Sequence, residues 1–97
     1  MLKLVIHPEA EEELNAAADY YEKCKDGLGI SFLHEIEKGF QQIQDNPLIG
    51  NEISTDIRRY LLRRFPYGIM YRVEINTIFI LAIAHLHREP GYWKKRN

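Results

Sequence analysis

The segment Ile78–Ala84, Ile-Phe-Ile-Leu-Ala-Ile-Ala, constrains the fold of this chain more than any other stretch. Its seven apolar residues are far too few to cross a bilayer, and a run that is apolar on both faces suits a central strand. Two runs rich in β-branched and aromatic residues precede it, Ile57–Phe65 and Tyr67–Glu74, broken at Pro66-Tyr67-Gly68. Asn76 marks the turn into the last run, Thr77–His85. In the middle run Ile69, Tyr71 and Val73 alternate with Gly68, Met70 and Arg72, so one face is expected in the core and the other partly polar.

The first half is helical. Leu2, Leu4 and Ile6 alternate with Lys3 and Val5 as a short strand would, and His7-Pro8-Glu9 ends it. Pro8 suits a first helical position, and Glu9, Glu11, Glu12 and Glu13 suit the positive end of a helix dipole. A helix from Pro8 to Lys25 places Ala10, Leu14, Ala17, Ala18 and Tyr21 on one face. Asp26-Gly27 and Gly29 make the turn. Leu33, Ile36, Phe40 and Ile43 repeat the helical spacing until Asp45-Asn46-Pro47. So short a connection makes the helices an antiparallel hairpin. Asn46–Asp56 is rich in turn formers and is expected to be a loop. The expected class is α+β in the order βααβββ: a strand, a helical hairpin and a three-stranded antiparallel meander.

With 97 residues, 45% hydrophobic and 28% charged, the chain fits one domain over residues 1–97 with a modest core. Cys24 is the sole cysteine, which excludes an internal disulfide framework and a cysteine-based metal cluster. The N-terminus has no secretory pattern, so a cytoplasmic location and no membrane partner are expected. A net charge of −1 hides an asymmetry: residues 1–50 carry four Lys/Arg against ten Asp/Glu, and residues 51–97 carry nine against four. A basic C-terminal surface meeting an anionic partner is one reading; solvated helix faces are the other.

Arg58, Arg59, Arg63 and Arg64 fall within seven residues. Strand alternation sends Arg59 and Arg63 to one face and Arg58 and Arg64 to the other. A strand so charged is either an edge protected against aggregation or part of a groove for phosphate or an acidic protein segment. Arg72, Arg88 and Lys94–Arg96 would complete that groove. His85 and His87 are two apart at a strand end, with only Glu89 as a third ligand, which is too little for a metal site. Either histidine is the natural general acid beside an arginine, or else hydrogen-bonded scaffolding. Tyr92 and Trp93 either stack on a base or plug the core. Cys24, between two lysines, is expected to be a packed or half-exposed thiol.

The strings IRRYLLRRFPYGIMYRV (Ile57–Val73) and ILAIAHLHREPGYWKKR (Ile80–Arg96), with the early PEAEEEL run, resemble the RelE/ParE toxin family of bacterial type II toxin-antitoxin modules, which includes plasmid stabilisation proteins. The resemblance implies a helical hairpin on a twisted antiparallel sheet and a cognate antitoxin as partner, with no cofactor or metal. It also implies no sequence-specific DNA binding by this chain alone. One branch of the family poisons DNA gyrase; the other enters the ribosomal A site and cleaves mRNA. Against the nuclease branch, Arg59 matches a basic strand position, and His87 or Arg88 stands near a phosphate-binding arginine. Trp93 stands near a stacking or acid tyrosine, but an indole N–H is no general acid. Gly68 replaces a strand arginine and supplies no charge. The resemblance therefore favours gyrase, with Arg59, Arg63, Arg72, His85, His87, Arg88, Tyr92 and Trp93 as contact residues for target or antitoxin. The alternative is RNA cleavage by Arg59, His85, His87 and Arg88.

Overall fold

The computed structural model describes residues 2–96. In chain order its elements are β1 (Lys3–Ile6), α1 (Pro8–Cys24), α2 (Leu28–Asp45), β2 (Asn51–Ser54), β3 (Ile57–Leu61), β4 (Tyr67–Val73) and β5 (Thr77–His85). They form one mixed five-stranded sheet in the order β1-β5-β4-β3-β2. β1 runs parallel to β5, and the other neighbours are antiparallel.

Several expectations change. The segment read as a loop contains β2, which pairs with β3 through Asn51↔Arg59 and Glu52↔Arg58. Its turn is Thr55-Asp56, with Asp56 at φ 62°, a left-handed conformation that aspartate tolerates. β3 therefore lies inside the sheet rather than at its edge, and it stops at Leu61, so Arg63 and Arg64 sit in the following bend. Strand alternation therefore applies only to Arg58 and Arg59. In β4, Gly68 and Met70 are buried as fully as Ile69 and Tyr71, so both faces of that strand are covered.

α1 begins with Pro8, and His7 Nδ1 accepts the Glu9 N–H at 3.0 Å. α2 has no side-chain cap of its own; the Glu22 carboxylate of α1 instead accepts the N–H groups of Gly27 and Gly29. Ala10, Ala17 and Ala18 give α1 a small-residue buried stripe, while Phe32, Ile36 and Ile43 do the same work for α2 with larger side chains. A Cβ on Gly39 would lie 2.7 Å from Ile69 Cδ1, so glycine is what lets α2 approach β4. The helices cover one face of the sheet, where Phe32 meets Phe65 and Tyr67 at 5.1 Å between ring centroids. On the other face Ile57, Met70, Leu81, Ala82 and Ala84 pack with Trp93.

β5 is buried on both faces, but not by simple alternation. Met70 stands opposite Ala82 and Tyr71 opposite Ile80, so Leu81 is one residue extra, a β-bulge. Leu81 and Ala82 consequently share the face away from the helices, and Ile83 returns to the helix side.

The segment after α2 is held by two groups of the sheet. The Tyr71 hydroxyl donates to Pro47 O at 2.8 Å and accepts the Gly50 N–H at 2.9 Å. Arg58 donates to Leu48 O and Gly50 O. This tether positions the entry to β2. Tyr71→Phe should lower stability by about 1–3 kcal/mol, because it strands a buried Gly50 N–H. Urea unfolding checks this, and an unchanged midpoint would show that the tether adds nothing.

Candidate functional site: a basic cleft and a carboxylate knot

The short β2 leaves the end of β3 open. The last pair is Asn51↔Arg59, so Leu61, paired with Gly68 of β4 on one side, has no strand on the other. A cleft of about 490 Å³ lies there, walled by Glu35, Lys38 and Gln42 of α2, Ile49–Asn51, Arg59–Leu61 and Arg63. The spacing of the α2 residues puts all three on one helix face. Lys38, Arg63 and the carboxylate of Glu35 border this cleft, whereas the Arg59 side chain turns away from it, in register with Met70 on the sheet face opposite the helices. Glu35 accepts the Arg63 N–H at 3.3 Å. Among the described residues, neither Lys38, Arg59 nor Arg63 forms an ion pair.

Arg59 owes its placement to Gly68. A Cβ at residue 68 would stand 3.1 Å from Arg59 Cγ and 3.3 Å from Cδ, so the arginine stem lies across the glycine. Arg59 Nε is buried without an acceptor.

The second cluster centres on Glu13. β1 pairs with β5 only as far as Ile6↔Ile80, where the His7 N–H donates to Ile80 O. Beyond that point side chains replace the strand. Glu13 accepts the Ile83 N–H at 3.1 Å, and Arg96 Nη1 donates to Leu81 O at 3.0 Å. Arg96 also meets Glu13 in a fork, at 2.9 and 3.1 Å, and its Nε reaches Glu9 at 3.0 Å. The Arg96 and Glu13 side chains are only 10% and 13% exposed. Tyr92 donates its hydroxyl proton to Glu13 at 2.7 Å, and the Arg88 guanidinium sits 3.7 Å above the Tyr92 ring while touching Glu13 at 3.3 Å. Burial raises the Tyr92 phenol above its ordinary range; the hydrogen bond to Glu13 and its negative charge add to this, against the pull of Arg88 and Arg96.

These two clusters divide the residues singled out from sequence. Arg59 and Arg63 both border the cleft, although the Arg59 stem lies over Gly68 on the sheet face away from the helices. Arg88, Tyr92 and Arg96 belong to the knot, and Trp93 is buried in the core, so the aromatic pair closes the core instead of offering a stacking platform. Arg72 is paired with Glu74 at 2.9 Å and stacked on Phe79. The single basic groove expected from Arg59 through Arg96 therefore does not form, because three of its arginines have acidic partners within the fold. His85 Nδ1 accepts the His87 N–H at 3.0 Å, and its ring packs against Tyr67. Cys24 is exposed. Among the described residues no three His, Cys, Asp or Glu side chains converge as metal ligands, and no helix is long and apolar enough to cross a membrane.

Sequence reasoning missed Lys38 and Glu13. Nothing marked Lys38 before its neighbours were known. Glu13 did carry a signal, since it falls three residues after Ala10 and four before Ala17, in phase with the buried stripe.

Glu13→Gln should cost about 2–4 kcal/mol in chemical denaturation, because it leaves a mostly buried Arg96 with only the exposed Glu9 as a charge partner. A loss below about 0.5 kcal/mol would place the pair among ordinary surface contacts. Tyr92 supplies a pH signature. Its folded pKa is raised, so its contribution is full below the unfolded tyrosine value of about 10 and is lost as pH rises through the folded value. Stability should therefore fall above about pH 10, and Tyr92→Phe should flatten that fall by up to about one proton. Urea titrations from neutral to alkaline pH measure both slopes, and equal slopes would refute the assignment.

A family model described as "ParE toxin of type II toxin-antitoxin system, parDE" matches residues 4–90. No curated protein matches the chain. A solved structure described as a chromosomal ParDE TA system from P. aeruginosa superposes with a TM-score of 0.65 at 20% identity, over 90% of this chain and 98% of that one. That likeness concerns the fold. The family match, which spans most of the chain, shows that this protein belongs to the ParE toxin family of type II toxin-antitoxin systems.

Proposed function

We propose that this ParE-family toxin acts by holding a protein target, DNA gyrase, and is silenced by an antitoxin laid along its helical hairpin. The observation that carries the reading is the division of its arginines. Arg59 and Arg63 are left without ion-pair partners near the open end of β3, whereas Arg72, Arg88 and Arg96 are committed within the fold. Unpaired cations favour binding of an acidic surface. The RNA-cleaving alternative asks for more: Gly68 supplies no charge at its strand position, and the Arg59 stem occupies the space over it. His85 has one ring nitrogen engaged by the His87 N–H.

The hairpin offers the antitoxin a shallow apolar groove of about 370 Å³, in which Leu14, Ile30, Leu33 and Phe40 are flanked by His34 and Glu37. An amphipathic helix fits such a surface. Ile30 and Leu33 are exposed on the toxin alone, as residues awaiting a cover would be.

Inducing the toxin without antitoxin and following thymidine and methionine incorporation over the first minutes tests the target. DNA synthesis should fall first while translation holds. An early fall in translation would instead support ribosome-dependent cleavage. Arg59→Ala combined with Arg63→Ala should weaken toxicity while keeping a cooperative melt, and loss of that melt would make the arginines structural.

A further inference from the structure

We propose that the contact with the protein target lies on the sheet face away from the helices, where Leu61 and Leu86 flank the Arg59 guanidinium. This patch takes a partner carboxylate set among apolar side chains. The proposal rests on the reading that this toxin acts on a protein, and it names the surface and the chemistry of the group it meets.

Cross-strand register brings these side chains together. Arg59 pairs with Met70, and Leu61 pairs with Gly68, whose partner on the other side is Ala84. Met70 and Ala84 pack in the cluster on the face away from the helices, so Arg59 and Leu61 share that face. Leu86 joins them from beyond the end of β5. Its Cδ2 stands 3.5 Å from the place of a Cβ on Gly68, and Arg59 Cγ stands 3.1 Å from the same place. The glycine therefore leaves the space on which an arginine stem and a leucine converge. Leu61 and Leu86 are 44% and 42% exposed, so two large apolar side chains reach the surface around one guanidinium.

Charge names the partner's group. The rows Asn51–Arg59–Met70–Ala82 and Leu61–Gly68–Ala84 contain no carboxylate. Among the described residues Arg59 forms no ion pair, and Nε is the one of its nitrogens that is buried without an acceptor, so the two Nη groups are those a partner meets. With its stem wedged over Gly68, the guanidinium is positioned before binding, and little side-chain freedom is lost. An arginine ringed by apolar contacts concentrates binding energy at protein interfaces, because the ring keeps water from its charge-assisted hydrogen bonds. A single-stranded nucleic acid would call for stacking rings and several phosphate contacts. Here Trp93 is buried, the Tyr92 hydroxyl is bonded to Glu13, and leucines stand where further cations would be needed.

The test measures binding of the full-length free toxin to purified, immobilised DNA gyrase. The toxin should bind saturably. Arg59→Met, which keeps a stem over Gly68 and removes the charge, should weaken binding by about tenfold or more. Leu61→Ser and Leu86→Ser should each weaken it by about fivefold or more. Ile75→Ser, at an exposed apolar position in the turn between β4 and β5, should leave it within about twofold. Should Arg59→Met unfold the protein, the two leucine variants still decide the matter, since neither residue is buried. Gyrase binding that survives all three patch substitutions overturns the proposal and leaves the gyrase reading standing. No gyrase binding, together with an early fall in translation, overturns the gyrase reading and the proposal with it. Octauridylate binding that is tighter than gyrase binding and is lost in the three patch variants overturns the assignment of the patch to a protein.

Discussion

The carboxylate of Glu13 is the interaction on which the rest of this structure depends. β1 is too short to accompany β5 over its whole length, and a strand edge with unsatisfied backbone groups cannot be left in a core. Glu13 and Arg96 stand in for the missing strand, one accepting from Ile83 and the other donating to Leu81. Their contact fixes the chain end against α1. Tyr92 and Trp93 are carried with it, so the face of the sheet away from the helices gains its cover. A bulge at Leu81 assists, since it turns two successive apolar side chains toward Trp93. One carboxylate thus joins α1, β5 and the tail.

That arrangement also decides which cations remain for a partner. The acidic first half and basic second half of the sequence suggest two opposed surfaces. In the folded chain much of the opposition is settled internally, through Glu9 and Glu13 with Arg96 and Arg88, and through Glu74 with Arg72. Lys38 and Arg63, among the cations without an ion pair, border the cleft where β2 stops short of the end of β3, and the unpaired Arg59 lies on the opposite face of the sheet. Gly68 then has a physical role beyond the absence of a charge: it is the floor on which Arg59 lies.

Most of the fold was legible in the sequence because it follows from periodicity. The doubly apolar Ile78–Ala84 run identified β5 as an interior strand, and the stripes through Ala10–Tyr21 and Leu33–Ile43 identified the hairpin. β2 was hidden because Asn51–Ser54 is short and half-exposed, so it shows no apolar alternation, and its turn residues resemble a loop. The candidate site was legible in part. Arg59 and Arg63 were visible as a dense cluster, but the fate of Arg72, Arg88 and Arg96 depended on acids far away in sequence. Glu13 to Arg96 spans 83 positions, and no local pattern encodes such a pairing. The bulge at Leu81 is likewise invisible to alternation, because every residue from Ile78 to Ala84 is apolar.

The most direct test of this account is amide hydrogen exchange in the free toxin and in its Glu13→Gln variant, followed at Ile83 and across Tyr92–Arg96, with Ile36 of α2 as the internal reference. If one carboxylate binds the strand edge to the tail, the variant loses protection at Ile83 and at the tail together, while Ile36 retains it. Retained protection at Ile83, or loss confined to the tail, would contradict the account and show that the edge of β5 is held by something other than Glu13.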